Sequence, residues 1–191
     1  VAYAHENGIL HRDLKPHNVF MGRFGEVTLL DWGLAKERHG IEPPSLALNR
    51  PAFAAGSASL TATGLGVGTP AYASPEQREG DLVDERTDVY GLGALLFHVL
   101  SGAPPSSTQA PSQALVANGV PKDLAAIVTR AMSQDSADRY VSARALAADL
   151  SRYFAGLLVA ARDYTWLERA RRFVGRNKIA VIAASAVAAA I

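Results

Sequence analysis

The residues most able to do chemistry in this sequence are Asp13, Lys15 and Asn18, which lie within the stretch 11–18, and Asp31 further along the chain. A carboxylate such as that of Asp13 can accept a proton from a hydroxyl group, and a nearby lysine can offset charge on a phosphate. Asn18 and Asp31 offer a neutral and a charged oxygen, and Mg²⁺ needs few protein ligands when phosphates and water complete its shell. The pattern indicates a site that holds a nucleoside triphosphate with Mg²⁺ and transfers a phosphoryl group to a hydroxyl.

The two candidate metal ligands need an element that fixes their separation. Two short apolar runs, 19–21 and 27–30, lie between Asn18 and Asp31, and a Gly-Arg-Phe-Gly segment at 22–25 joins them. Apolar runs joined by a short glycine-containing segment are typical of a β-hairpin. We therefore expect a hairpin that carries both ligands on one rigid element.

The order of residues in 11–18, followed by Asp-Trp-Gly from Asp31, resembles the protein-kinase catalytic loop H-R-D-x-K-x-x-N and the later D-F-G triplet. The resemblance implies that Asp13 is the catalytic base and that Asn18 and Asp31 hold Mg²⁺. It also implies that Lys15 acts on the phosphates of ATP and marks a serine/threonine kinase rather than a tyrosine kinase. The implied cofactors are ATP and Mg²⁺.

The resemblance also implies structural roles for two aromatic residues, His11 and Trp32. His11 is expected to pack beneath the metal-binding turn and to do no acid–base work. Trp32 stands where the family usually has phenylalanine. Tryptophan is also aromatic but is bulkier than phenylalanine. We expect its size to affect the ease of switching between active and inactive forms more than the metal role of Asp31.

Residues 31–76 resemble a kinase activation segment with an insertion at 40–58. A loop of this length in a compact domain is usually functional or disordered. Its end, at 68–76, reads G-T-P-A-Y-A-S-P-E, where the family usually finishes in A-P-E. The resemblance implies that Thr69 hydrogen-bonds near Asp13 and Lys15 and helps to seat the substrate hydroxyl.

Two further threonines, Thr61 and Thr63, lie where related bacterial kinases carry activating phosphothreonines. We expect one of them to be phosphorylated and to pair with Arg12, because a phosphate adds a charge of about −1.5 to −2 that an arginine can hold. The alternative is an ordinary solvated loop, and the sequence does not decide between the two.

Two acidic residues, Glu76 and Asp88, are expected to have structural roles. Glu76 should be a buried carboxylate, which needs a partner, and the resemblance implies that the partner is Arg139. The resemblance also implies that Asp88, at the start of an apolar helix over 88–100, hydrogen-bonds the backbone of the catalytic loop. The alternative is that Asp88 is an ordinary N-cap of this helix, and the two roles are compatible.

Helical spacing of apolar residues predicts most of the remaining lobe. The predicted core positions of the later helices are Leu124, Ile127, Val128, Ala131, Leu146, Leu150, Tyr153 and Phe154, with Ser142 as a possible cap. The fold class is therefore mainly α with a small β-hairpin, like the large C-terminal lobe of a protein kinase over 1–156. The Gly-rich loop, strand lysine and helix glutamate of an N-terminal lobe do not occur in this sequence, so the chain alone is expected to be inactive.

The tail differs in composition from the lobe. At 165–178 helical spacing separates an apolar face from a basic one, which suggests binding to an anionic membrane surface. The following run, 179–191, is apolar and uncharged but shorter than the roughly 20 residues that span a bilayer. We interpret 157–178 as a basic juxtamembrane segment and 179–191 as the start of a transmembrane helix, with the lobe in the cytoplasm of a single-pass inner-membrane protein. The alternative is a C-terminal helix packed on the lobe.

Composition narrows the function classes. The chain has 191 residues, 49% of them hydrophobic, a net charge of +1 and no cysteine. This composition allows a real core, argues against a general nucleic-acid binder and excludes disulfides and thiol catalysis. The sequence predicts a membrane-anchored serine/threonine protein kinase acting on protein hydroxyls, with possible homodimerisation for activation. The alternatives are a pseudokinase or membrane-anchored binding scaffold and a small-molecule phosphotransferase, which the substrate-seating segment 68–76 argues against.

Overall fold

The computed structural model describes residues 1–32, 36–37, 70–106 and 108–176. They belong to two compact units, Val1–Ala161 and a C-terminal unit that begins at Arg162. The described residues are mainly helical, which confirms the predicted class. The helices are α1 (Ala2–Glu6), α2 (Pro75–Glu79), α3 (Glu85–Ser101), α4 (Pro111–Ala117), α5 (Lys122–Ala131), α6 (Ala143–Phe154) and α7 (Trp166–Arg176).

The predicted hairpin is confirmed and consists of β2 (Val19–Met21) and β3 (Val27–Leu29). The two strands are antiparallel, and Val19 lies opposite Leu29. Gly25 closes the turn with φ of 85°, a left-handed conformation that glycine adopts without steric cost.

A second antiparallel pair joins β1 (Ile9–Leu10) to β4 (Lys36–Glu37) and was not predicted. Strands of two residues are too short to show an alternating pattern, so nothing in the sequence indicates this pairing. It ties the chain beyond the hairpin back to the strand that enters the catalytic loop.

Helix α3 forms the centre of the lobe. Asp84 is its N-cap and accepts a hydrogen bond from the backbone N of Arg86 at 2.8 Å. The plain N-cap interpretation of Asp88 is therefore wrong, because the helix begins before that residue. Asp88 lies in the first turn with its side chain 1% exposed.

Two glycines on α3 allow close packing on opposite neighbours. A Cβ atom at Gly91 would lie 2.9 Å from Cβ of Leu14 in the catalytic loop, and one at Gly93 would lie 2.8 Å from Cβ of Ala131 in α5. Real Cβ atoms do not approach this closely, so larger residues would push the loop or α5 away. The two glycines set how closely the catalytic loop and α5 approach the central helix.

Helices α5 and α6 complete the core largely as predicted. All four predicted positions of α5 are buried, and Ser142 caps α6 by accepting from the backbone N of Ala145 at 3.2 Å. Leu146 is buried, but the predicted core position Phe154 is wrong, since its side chain is 79% exposed. Phe154 is the last residue of the helix and lies on the rim of the apolar face, where the ring of Tyr153 packs edge-on against it.

The C-terminal unit contains α7, whose N-terminus has a capping box. The backbone N of Thr165 donates to Glu168 at 3.0 Å, and the backbone N of Glu168 donates to the Thr165 hydroxyl at 3.3 Å. Across the parts of the chain that are described, no helix has both the length and the apolar character of a membrane span. The apolar run 179–191 lies outside the described residues.

Candidate active site

The three catalytic-loop residues singled out by their chemistry meet at one carboxylate oxygen. Lys15 Nζ lies 2.7 Å from Asp13 Oδ2, and Asn18 Nδ2 donates to the same oxygen at 3.1 Å. The Asn18 amide also donates to the backbone carbonyl of Asp13 at 2.8 Å. These contacts fix the carboxylate of Asp13 by one charged and one neutral donor, while its side chain stays 23% exposed and open to a substrate.

The loop conformation follows from the local sequence. Pro16 begins a short 3₁₀ turn, Pro16–Asn18, and Lys15 before it is extended. A residue that precedes proline is biased towards extended backbone, and proline suits a first helical position. The turn brings the buried side chain of Asn18 back onto Asp13.

The hairpin links this loop to Asp31. The backbone N of Leu30 donates to the carbonyl of Asn18 at 2.8 Å, which continues the ladder of the hairpin by one bond. Asp31 follows directly, exposed and with φ of 58°, a left-handed conformation uncommon for residues other than glycine. Asn18 and Asp31 thus leave the same end of one hairpin.

His11 and Trp32 pack together below this turn. The His11 side chain is fully buried; its Nε2 donates to the carbonyl of Leu30 at 3.1 Å, and its Nδ1 accepts from the backbone N of Asp13 at 3.3 Å. With this pattern Nε2 is the donor and Nδ1 the acceptor of the His11 ring. The Trp32 ring meets that of His11 edge-on, with centroids 4.6 Å apart.

Asp88 holds the backbone of the catalytic loop. Its two carboxylate oxygens accept from the backbone N of His11 and of Arg12, each at 2.8 Å. His5 Nε2 donates to the same carboxylate at 2.8 Å from α1. His5 was not predicted as a site residue, because an isolated histidine on the apolar face of a helix matches no motif.

Arg12 adopts φ of 70°, and the Nε of its side chain is buried without a partner among the described residues. Guanidinium N–H groups are strong donors, so a buried one without an acceptor is costly. The two threonines expected to supply a phosphate, Thr61 and Thr63, lie outside the described residues, and so does Thr69.

Glu76 and Arg139 form a two-bonded ion pair. Arg139 Nη1 and Nη2 lie 2.7 and 2.8 Å from the two Glu76 oxygens, with the arginine side chain fully buried and that of Glu76 15% exposed. The other three N–H groups of Arg139 donate to the carbonyls of Ser133, Gln134 and Arg86. Every donor of this buried cation is therefore satisfied.

The electrostatics of Glu76 follow from this pair. Burial raises the pKa of the Glu76 carboxyl, but hydrogen bonds from Arg139, the backbone and Thr87 outweigh it and hold the pKa at about 2. Thr87 Oγ1 donates to Glu76 at 2.8 Å. Sequence reasoning missed Thr87, since a threonine in the first turn of a helix has no distinctive signal.

The segment before Glu76 is packed on α3. Pro70–Tyr72 forms a 3₁₀ turn, and the Tyr72 hydroxyl is hydrogen-bonded to Nδ1 of His98. Burial raises the pKa of the Tyr72 phenol, so its hydroxyl stays protonated in this contact. The chain leading to α2 is thus held on the central helix.

Comparison with known proteins agrees with this geometry. The protein kinase domain family matches residues 1–152. The chain is 35% identical to serine/threonine-protein kinase PknD of Chlamydia abortus, over 82% of this chain and 18% of that protein. It is 36% identical to PknD of Protochlamydia amoebophila, over 82% of this chain and 17% of the relative. It is 34% identical to serine/threonine-protein kinase PknB of Mycobacterium tuberculosis, over 81% of this chain and 24% of that protein. The chain spans about a quarter or less of the length of these relatives.

The family match and the site cover the same part of the chain. The matched range 1–152 contains the loop around Asp13, the clamp at Asp88 and the ion pair of Glu76 with Arg139. The relatives are serine/threonine kinases of bacteria, and their identity to this chain is above 30%. On these grounds the chain belongs to the protein kinase family.

Proposed function

We propose that the protein is a serine/threonine protein kinase that transfers the γ-phosphate of ATP to serine and threonine hydroxyls of other proteins. The observation that carries the proposal is the contact of Lys15 and Asn18 with one oxygen of the Asp13 carboxylate. The names of the bacterial relatives support the same activity.

In this proposal Asp13 accepts the proton of the substrate hydroxyl. Among the described residues none donates to its Oδ1, so this oxygen can face the hydroxyl while Oδ2 is held. Lys15 carries a positive charge at the same place and offsets charge on the transferred phosphoryl group. Asp88 keeps the loop backbone in place, so the base does not reorganise during transfer.

The oxygen donors beside the base suit Mg²⁺. Both contacts of the Asn18 amide use its nitrogen, which leaves its oxygen for a cation, and Asp31 adds a carboxylate at the same end of the hairpin. Oxygen ligands of this kind are those that Mg²⁺ prefers. Asn18 and Asp31 would hold the ion, whose positive charge would offset the negative charge of the ATP phosphates.

Substrate seating and regulation belong to the activation segment. We assign Thr69 to the substrate hydroxyl side of the base and Thr61 or Thr63 to phosphorylation, with the phosphate held by Arg12. The buried Arg12 Nε supports this, because among the described residues it lacks an acceptor that a phosphate oxygen would provide. Homodimers would allow one protomer to phosphorylate its partner.

The direct test is transfer of label from γ-labelled ATP by the purified full-length protein. We expect labelled phosphoserine and phosphothreonine after acid hydrolysis, and loss of labelling when EDTA removes Mg²⁺. Label found only on a small molecule, or on tyrosine, would contradict the assignment to serine and threonine in proteins.

We further propose that the protein is anchored at the inner membrane, with the kinase lobe in the cytoplasm. The basic residues of α7 and its flanks outnumber the acids, and the one acid within α7, Glu168, is engaged by Arg162 and by the capping box with Thr165. Trp166 and Leu167 on its other face are 75% and 59% exposed. This combination suits a helix lying on an anionic lipid surface before the span proposed at 179–191.

A peptide of residues 162–178 tests the lipid contact, with Trp166 as its reporter. We expect its fluorescence to shift to the blue with vesicles of phosphatidylglycerol and phosphatidylcholine, and far less with phosphatidylcholine alone. Since each basic residue contributes about 1 kcal/mol near an anionic surface, replacing Arg169, Arg171 and Arg172 by Gln should weaken partitioning by about 100-fold. Equal binding of both peptides would contradict an electrostatic contact.

A further inference from the structure

The side-chain amide of Gln77 joins α2 to the catalytic loop. Its nitrogen donates to the backbone carbonyl of Arg12 at 2.6 Å, across 65 positions of sequence. Its oxygen accepts from the backbone N of Ser74 at 3.1 Å and from the Ser74 hydroxyl at 3.2 Å. Only one orientation of the amide satisfies both sides, because a carbonyl can only accept and a backbone N–H can only donate.

The Ser74 end of this bridge is a capping box. Ser74 is fully buried, and its hydroxyl accepts from the backbone N of Gln77 at 3.4 Å while the Gln77 side chain caps the Ser74 backbone. The capping box uses only the oxygen of the Gln77 amide. The donor aimed at Arg12 is therefore additional to what the helix needs.

The Arg12 end lies next to the base. Arg12 has φ of 70°, a conformation that costs energy in a residue with a Cβ atom and persists only when its surroundings hold it. Asp88 fixes the N–H of Arg12 and Gln77 fixes its carbonyl, both at less than 3 Å. That carbonyl belongs to the peptide group whose nitrogen is Asp13 N, so its position sets the direction in which the Asp13 side chain leaves the loop.

We propose that Gln77 is a positioning residue for Asp13, acting through the carbonyl of Arg12. The proposal rests on the proposed kinase function. It couples the end of the activation segment to the base, because the same side chain caps α2 and holds the loop. Without the donor, the long 3.3 Å bond from Asp13 N to His11 Nδ1 is left to hold the peptide group between Arg12 and Asp13, and displacements of about 1 Å can cost up to about 100-fold in rate.

Two substitutions in the full-length protein separate the two ends of the bridge. Gln77→Glu keeps the capping oxygen, since glutamate is a natural capping-box residue, but replaces the donor by an oxygen that repels the Arg12 carbonyl. Gln77→Lys keeps a donor and removes the capping oxygen. We expect Q77E to lower kcat by about 10- to 100-fold with the KM for ATP within about twofold of wild type. We expect Q77K to keep most of kcat while losing thermal stability.

Dependence on pH adds a readout that a purely structural role would not change. At low pH the carboxyl group introduced by Q77E gains a proton that it can donate to the Arg12 carbonyl. The ratio of kcat for Q77E to kcat for wild type should therefore rise as the pH falls from about 8 to about 5.5. The same exchange at the exposed Gln113, Gln113→Glu, should leave that ratio constant with pH.

The outcomes separate this proposal from the kinase assignment. If wild type transfers phosphate and Asp13→Asn does not, but Q77E keeps the wild-type kcat, the role of Gln77 is excluded while the kinase function stands. A loss of kcat that follows thermal stability, and is thus larger in Q77K than in Q77E, also overturns it. If wild type shows no transfer, or Asp13→Asn equals wild type, the kinase function itself fails.

Discussion

Replacing Asp13 by asparagine in the full-length protein is expected to remove nearly all phosphoryl transfer and to leave the fold intact. Asparagine has the same shape but cannot accept a proton from the substrate hydroxyl, and general acid–base groups typically contribute about 10²- to 10⁴-fold to rate. The side chain is 23% exposed, and asparagine keeps an oxygen that can accept the bonds from Lys15 and Asn18, so we expect little loss of stability. We expect kcat to fall by that factor at saturating ATP and peptide, measured by release of ADP.

A second acid gives the matched control. Asp81 is exposed on the loop after α2, and Asp81→Asn removes one negative charge far from Asp13 along the chain. Its kcat should stay within about twofold of the wild-type value. The free energy of unfolding of both variants should lie within about 0.5 kcal/mol of that of wild type. Transfer by Asp13→Asn at the rate of the Asp81 variant would show that another group takes the proton.

How much of this site could be predicted depends on how far apart in the sequence the contacting residues lie. Asp13, Lys15 and Asn18 lie within one short loop whose proline fixes the turn, and their contacts form as that spacing suggested. The hairpin was equally local and is confirmed. Local chemistry and local turns leave a pattern in neighbouring residues, which is why they could be predicted.

Contacts between distant parts of the chain left no such pattern. His5 reaches Asp88 across 83 positions and Gln77 reaches Arg12 across 65. The spacing of Ser74 and Gln77 indicates a helix cap, but nothing in the local sequence of His5 or Gln77 indicates its distant partner. Glu76 and Arg139 lie 63 positions apart, yet they were paired by resemblance to a family rather than by any property of their local sequence. The roles expected of Thr61, Thr63 and Thr69 remain predictions, because those residues lie outside the described part of the chain.

The largest expected effect on stability comes from Arg139→Ala. It removes a fully buried cation and leaves the Glu76 carboxylate and three backbone carbonyls without their donor. Breaking a buried pair in this way costs about 3–5 kcal/mol, a large part of the stability of an ordinary domain. We expect less soluble protein and a correspondingly lower midpoint of urea unfolding, measured by tryptophan fluorescence.

The same substitution at an exposed pair provides the control. Arg144 pairs with Glu6, but the two side chains are 74% and 50% exposed. Surface ion pairs contribute about 0–1 kcal/mol, so Arg144→Ala should shift the free energy of unfolding by no more than that. An Arg139→Ala protein as stable as the Arg144 variant would show that the buried pair does not hold the lobe together.

The dependence on pH distinguishes the ion pair from the backbone contacts of Arg139. The pKa of Glu76 is lowered from 4.5 to about 2 in the folded protein, so its stabilising effect is complete above pH 4.5 and is lost as the pH falls towards 2. Arg139→Ala removes the main cause of that lowering. The gap in unfolding free energy between wild type and the variant should therefore be largest above pH 4.5 and should narrow as Glu76 becomes protonated. A gap that stays constant down to pH 2 would assign the whole effect to the three backbone carbonyls, and the ion pair would then contribute nothing.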